Sequence, residues 1–211
     1  SSKQTVFVVA DHGLAIIYFM QSQIVSRLVE AGKQVVLLTQ DALTEQIQQK
    51  FGRSGLIVEG LRYDLCDSYA RHFEPRKQWW LNFLRRVGTS NKINTEAMDS
   101  YVRQVDFETQ GKQRIILEFA KQAVKLLRKS NTLRKYLIQK QMRYIPNLYQ
   151  DLFEKYNPTL LVSCTYGWRN DRYILRESKR RGIKTGAVIV GWDNPSSYGI
   201  PAAPLDFRSE E

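Results

Sequence analysis

Apolar positions along the chain repeat with two periods. Residues 5–10 (TVFVVA) form an unbroken apolar, largely β-branched run, the pattern of a strand covered on both faces. After Asp11, His12 and Gly13, the residues Ile16, Ile17, Phe19, Met20, Ile24, Val25 and Leu28 recur at helical spacing. Gly32 ends that helix as a C-cap residue. Residues 34–39 (QVVLLT) predict a second strand. Asp41 then caps a helix reaching about Phe51, and residues 55–60 (GLIVEG) predict a short third strand. This β-α-β-α-β order with short links is that of a doubly wound parallel sheet.

The pattern then becomes helical throughout. Pro75 can begin a helix carrying Trp79, Trp80, Phe83 and Leu84, and Asn94 or Thr95 can begin another. Ile115, Ile116, Phe119, Ala123, Val124 and Leu127 mark an amphipathic helix. Leu133, Leu137, Tyr144, Leu148 and Leu152 mark a further one, interrupted near Pro146. The β/α rhythm returns at Asn157-Pro158. A strand follows over 159–164, then a helix from Asn170 and Asp171 to Gly182, a fifth strand over 184–190, and a Gly, Pro and Ser-rich loop over 191–204. The expected fold is α/β: a Rossmann-like parallel sheet of about five strands over residues 1–70 and 157–211, with an all-helical insertion over 71–156.

Charge sharpens this division. Residues 71–150 hold 17 Lys or Arg against 6 Asp or Glu, a net of +11 that equals the charge of the whole chain; elsewhere the signs cancel. A charge confined to one segment points to a localised anionic partner, such as a membrane surface or a polyanionic substrate. Lys121, Lys125, Arg128 and Lys129 are the candidate contacts with that surface, against the alternative of a solvated helix face. Trp79 and Trp80 suit either an interfacial anchor or, preferably, packing of the insertion onto the sheet. No apolar run approaches the ~20 residues that span a bilayer. Cys66 and Cys164 lack a paired spacing, which predicts a reduced, cytoplasmic protein, and the two histidines are too far apart in sequence to suggest a metal cluster. No cofactor motif is visible; in particular G-x-G-x-x-G is absent.

In a parallel sheet the loops after the strands gather at one edge, where ligands bind near the switch point. His12, in the loop after the first strand, is the candidate general base, since imidazole can take a proton near neutrality. Asp11 or Asp193 would orient it. The alternative is a histidine that closes a turn. Gly13 permits a tight turn and close approach of a ligand to the backbone. Tyr166 should lie near His12. In the string Trp192-Asp193-Asn194-Pro195, a Trp face can stack on a sugar ring while Asp193 and Asn194 bond hydroxyls; the same string also suits a structural turn. Cys164 is expected to pack as a small hydrophobe.

Two stretches carry a resemblance. VVADHGLA, a helix and GKQVVLLT, together with NPTLLVSCTYGWRNDRYILRESKRRGIKTGAVIVGWDNPSSYG, resemble the amino-terminal half of GT-B-fold glycosyltransferases, in particular bacterial surface-carbohydrate glycosyltransferases and their glycerophosphotransferase relatives. The resemblance covers residues 5–60 and 157–200 and omits the insertion. It implies an acceptor-binding domain in bacterial surface glycan assembly. The sugar would come from a nucleotide-activated donor held by a separate carboxyl-terminal domain, with His12 at the position of the base. On this reading the chain alone is inactive. Its partners are a glycan or lipid-linked acceptor, the donor-binding domain and an anionic membrane surface, and it lies in the cytoplasm or peripherally on the inner face of the membrane. The alternative is a basic nucleic-acid-binding or scaffolding α/β module without catalysis; no nucleic-acid motif accompanies the charge, so nucleic acid is the less favoured partner.

Overall fold

A computed structural model of the protein describes residues 4–72, 76–188 and 199–209. Its centre is an all-parallel sheet. The strands are β1 (Thr5–Val9), β2 (Gln34–Thr39), β3 (Leu56–Gly60), β4 (Pro158–Ser163), β5 (Lys184–Val188) and β6 (Phe207–Ser209). Their order across the sheet is β3-β2-β1-β4-β5-β6. The fold is Rossmann-like. The chain leaves β3 at one edge and returns beside β1 as β4, so the switch point falls between β1 and β4. Five strands match the sequence pattern. The sixth is three residues long and follows a Pro-rich loop, too short to register as a periodic signal.

The strands bury both faces, with alternate residues serving each. Val6, Val8, Val35 and Leu37 face α1 (Gly13–Gln21), α2 (Gln23–Glu30) and α3 (Thr44–Phe51) through Phe19, Val25 and Ile47. Phe7, Val9, Val36 and Leu38 face the other side, where α4 (Tyr63–His72), α9 (Gln150–Tyr156) and α10 (Asp171–Arg180) contribute Cys66, Phe153 and Tyr173.

Between α4 and α9 stand α5 (Arg76–Val87), α6 (Glu96–Glu108), α7 (Gln113–Lys129) and α8 (Asn131–Gln141). Pro75 lies outside the described residues. Helices α5, α6 and α7 share a core of their own, made of Phe83, Val87, Met98, Val105, Leu117 and Val124. Several contacts join this bundle to the sheet domain. Leu127 and Leu137 pack on Ile200. The fully buried Arg176 of α10 donates to Gln141 Oε1 and to the carbonyls of Tyr144 and Ala202.

Two local expectations are corrected and one is met. The first helix is two: Ser22 adopts an extended conformation and its hydroxyl accepts from Ile24 N–H, restarting the chain as α2. Ser at an N-cap competes with the helix it interrupts. The interruption expected near Pro146 is present and divides the next stretch into two helices. Helical structure stops at Gln141 and resumes at Gln150, because Pro146 and the left-handed Asn147 break it, and α9 then packs on the sheet rather than on the bundle. Finally, Asp41 lies in a single 3-10 turn, and its carboxylate accepts the backbone N–H groups of Arg62 and Tyr63 at 3.0 and 2.9 Å, serving the start of α4. Gly60 allows this, since a Cβ there would meet the Asp41 carboxylate at 2.1 Å.

Candidate functional site

The loop after β1 and the loop after β4 meet at the carboxyl edge of the sheet. Val9 pairs with Ser163, and Cys164 N–H donates to Val9 O. This pairing brings Asp11, His12 and Cys164 together although 152 positions separate the last two. Asp11 is wholly buried, while His12 keeps 21% of its side chain exposed. His12 Nδ1 lies 2.6 Å from Asp11 Oδ1. A carboxylate acceptor at that distance holds a ring proton on Nδ1, so in the neutral ring the lone pair is on Nε2. Cys164 Sγ donates to the same carboxylate oxygen at 3.5 Å. Burial and the nearby Asp11 carboxylate push the Cys164 thiol well up, so it stays protonated. Asp11, His12 and Cys164 are the types that ligate metals and their ligand atoms cluster; Asp11 Oδ1 is shared by the His12 ring and the Cys164 thiol, while Asp11 Oδ2 is buried without a hydrogen-bond partner among the described residues.

The backbone of the dyad is held as well. Tyr63, the first residue of α4, donates its hydroxyl to Asp11 O at 2.5 Å, and Gln40 Nε2 donates to the same carbonyl at 3.3 Å. Burial, then the Asp11 charge, raises the Tyr63 phenol, which keeps it a donor. A second buried carboxylate, Asp171, supports the β4–α10 loop. It accepts from the Ser163 hydroxyl, from Gly167 N–H at 2.9 Å and from Arg169 N–H at 3.2 Å. Burial, then Asp11, nevertheless raises its pKa.

Gly13 is the first residue of α1 and does not form a tight turn: its φ is not in the left-handed region, and the space a Cβ would take is open. Its contribution is room beside His12. Tyr166 is corrected more sharply. Its loop does neighbour His12, as Cys164 Sγ at 4.0 Å from His12 Nδ1 attests, but the ring turns inward against Ala187 and Leu205 and is fully buried. The phenol near the dyad is Tyr63, which the sequence pattern hid because α4 lies beyond β3. Trp192, Asp193 and Asn194 lie outside the described residues.

The four basic positions on α7 divide. Lys121 pairs with Asp106 and Glu118 at 2.8 and 2.9 Å; Arg128 pairs with Asp99 at 2.8 Å and donates to Val87 O. Lys125 and Lys129 are exposed.

A different group of cations gathers beside the dyad. Where α5 and α6 of the insertion face the β4–α10 loop, there is a cleft of about 480 Å³. Arg85, Arg86, Arg169 and Arg172 line it with Asn82 and Asn170, and its apolar wall is aromatic. Tyr63 belongs to this wall and, through its hydroxyl, to the dyad. Sequence reasoning missed the cleft because it assembles from residues 63, 85 and 169, with no shared local pattern.

Comparisons of the chain with protein-family models, curated proteins and solved structures return no match. Function is therefore argued from the chemistry of the site.

Proposed function

We propose that this chain is the acceptor-binding part of a group-transfer enzyme of glycosyltransferase type, in which His12 removes a proton from an acceptor hydroxyl. The observation that carries the reading is the His12–Asp11 dyad at the switch point of a Rossmann-like sheet. Asp11 is the positioning residue: it fixes the tautomer and stabilises the imidazolium formed when Nε2 takes the proton. The partial exposure of His12 and the open space over Gly13 give an acceptor room to approach. Leu14 and Ile17, exposed on the first turns of α1, form an apolar rim beside the dyad suited to closure by a donor-binding domain.

The test is turnover in the presence of the donor-binding part of the enzyme. His12→Ala should lower turnover by about 10²–10⁴-fold, the usual contribution of a general base, and spare donor binding. Unchanged turnover removes His12 from the mechanism.

The insertion fits a membrane-surface role within the same reading. Among the described residues no helix is long and apolar enough to cross a membrane. Helix α7 instead carries two apolar faces. One, with Leu117, Ala120, Val124 and Leu127, is buried; the other exposes Ile115, Phe119 and Leu126, with Phe119 at 73%. Phe107, at the end of α6 beside the Asp106 that pairs with Lys121, is 89% exposed. Exposed aromatic and aliphatic residues among Lys125, Lys129 and the other cations of a strongly basic segment match an anionic bilayer surface. Phe119→Asp should weaken binding to anionic vesicles with little change in Tm. Retained binding would free α7 from that role.

A further inference from the structure

The dyad needs only one exposed imidazole and room for a hydroxyl. It leaves the neighbouring cleft unexplained, and that cleft has an unusual composition. Four guanidiniums line it, and among the described residues no carboxylate does. Such a concentration of one sign is costly unless something offsets it.

Among the described residues Arg85, Arg86 and Arg169 make no ion pair. Arg86 instead lies 3.6 Å from the Tyr101 ring centroid and 5.6 Å from that of Trp168, and Arg169 lies 5.2 Å from Trp168. Stacking on aromatic faces holds a guanidinium plane while leaving its N–H edges available for a bidentate acceptor. This is the arrangement of a recognition site rather than of a structural salt bridge.

Arg85 is the second, independent sign. Only 3% of it is exposed. Its Nη1 donates to Ile200 O at 2.9 Å, but its Nε finds no acceptor among the described residues. A buried guanidinium N–H without a partner forfeits hydrogen-bond energy that an anion at the cleft floor would restore. Burial, with Arg176 and Arg172 of the same sign nearby, pulls the Arg85 pKa down to about 9. At neutral pH the group is still charged, and the cost of that charge persists.

The cleft also meets the start of α10, where Asn170 is the N-cap residue. The helix presents its positive end there, together with Arg169 and Arg172. Among the described residues, the charged groups that line the cleft thus favour one kind of ligand. Planar forks and N–H groups suit tetrahedral oxyanions, and about 480 Å³ holds more than a single inorganic ion.

We infer that this cleft is a phosphoryl-binding site, taking the phosphate or diphosphate of an esterified acceptor, with Arg85 at its floor and Arg86 and Arg169 at its walls. The inference rests on the transfer reading for the ligand's role as acceptor, but not for the binding itself. Tyr63 gives it a position: the residue that walls the cleft also bonds Asp11 O, so an acceptor anchored by its phosphate lies next to the imidazole.

The test is calorimetric titration of the chain with inorganic pyrophosphate, repeated with a sugar phosphate and with phosphatidylglycerol vesicles. Arg86→Gln and Arg169→Gln change partly or fully exposed side chains and should leave the fold intact. Arg27→Gln, at an exposed position of α2, is the control of equal charge change. Saturable 1:1 binding of pyrophosphate should weaken at least tenfold in each arginine variant and less than twofold in Arg27→Gln. Arg85→Lys, which keeps the charge but loses the fork, should weaken it as well. Vesicle binding that pyrophosphate competes away, and that falls in the arginine variants, places the phosphoryl group on a lipid. Sugar-phosphate binding without vesicle binding places it on a soluble ester. No saturable pyrophosphate binding, or equal weakening in Arg27→Gln, overturns the site. Pyrophosphate binding retained in His12→Ala whose turnover is unchanged sinks the transfer reading and leaves the cleft standing; absent binding with His12-dependent turnover does the reverse.

Discussion

At the residue scale, the site depends on how one carboxylate is shared. Asp11 Oδ1 receives both the His12 ring and the Cys164 thiol. The two donors do not compete for a role. The imidazole reaches the surface, whereas the thiol is buried and stays protonated. Cys66 is buried too, and burial raises its thiol to about 11. A thiol whose folded pKa lies above its usual value remains neutral through pH 8 and gives little thiolate for reaction. Both cysteines should therefore resist a disulfide exchange reagent at pH 8 in the native protein and react together on unfolding. Rapid native labelling of Cys164 would contradict the described packing around Asp11. His12 and Asp11 were legible in the sequence because they directly follow a strand whose apolar run is unambiguous. Arg85 and Tyr63 were not, because their roles come from partners far along the chain, the Ile200 and Asp11 carbonyls; Asp171 was read only as a helix start, because the irregular turn that brings Ser163, Gly167 and Arg169 to its carboxylate leaves no periodic signal. Tyr166 misled for a related reason. Its position after β4 is correct, but alternation does not reveal which way a side chain turns once the strand has ended.

At the element scale, the β4–α10 loop shows how backbone geometry sets up the site. Tyr166 and Gly167 both have positive φ, 41° and 93°, which turns the chain sharply and aims Gly167 N–H at Asp171. A Cβ at Gly167 would meet the Cβ of Ala202 at 2.1 Å. Left-handed strain and overpacking together predict that Gly167→Ala destabilises the protein by about 2–4 kcal/mol. Chemical denaturation reads this directly, and a loss below about 0.5 kcal/mol would show that the loop repacks freely. The strands themselves were readable: β1 and β2 are continuous apolar runs because both of their faces are covered. Helix limits were less so. Ser22 interrupts otherwise helical spacing, and periodicity alone passes over an interruption that leaves the apolar face in phase, whereas Pro146 announced the break between Gln141 and Gln150.

At the scale of the whole molecule, a neutral α/β frame carries a basic helical bundle, and the two meet where the chemistry is. The charge asymmetry was visible in composition, but its meaning changes with the coordinates. Part of the positive charge on α7 is taken up by Asp106, Glu118 and Asp99, while arginines from α5 and from the β4–α10 loop converge on one cleft. Sequence located the charge in the insertion and could not foresee that two of the four arginines lining the cleft, Arg169 and Arg172, would come from beyond β4.

The central claim is that the His12 dyad and the arginine cleft are one site. Nuclear magnetic resonance of the 15N-labelled chain, titrated with a phosphate-bearing acceptor, tests it most directly. The ring nitrogens of His12 should report the Nδ1–H tautomer in the free protein. They should then shift together with the Trp168 indole and the Arg86 and Arg169 guanidinium signals, at a common midpoint. Cleft signals that move while His12 stays unchanged to saturation would contradict the account.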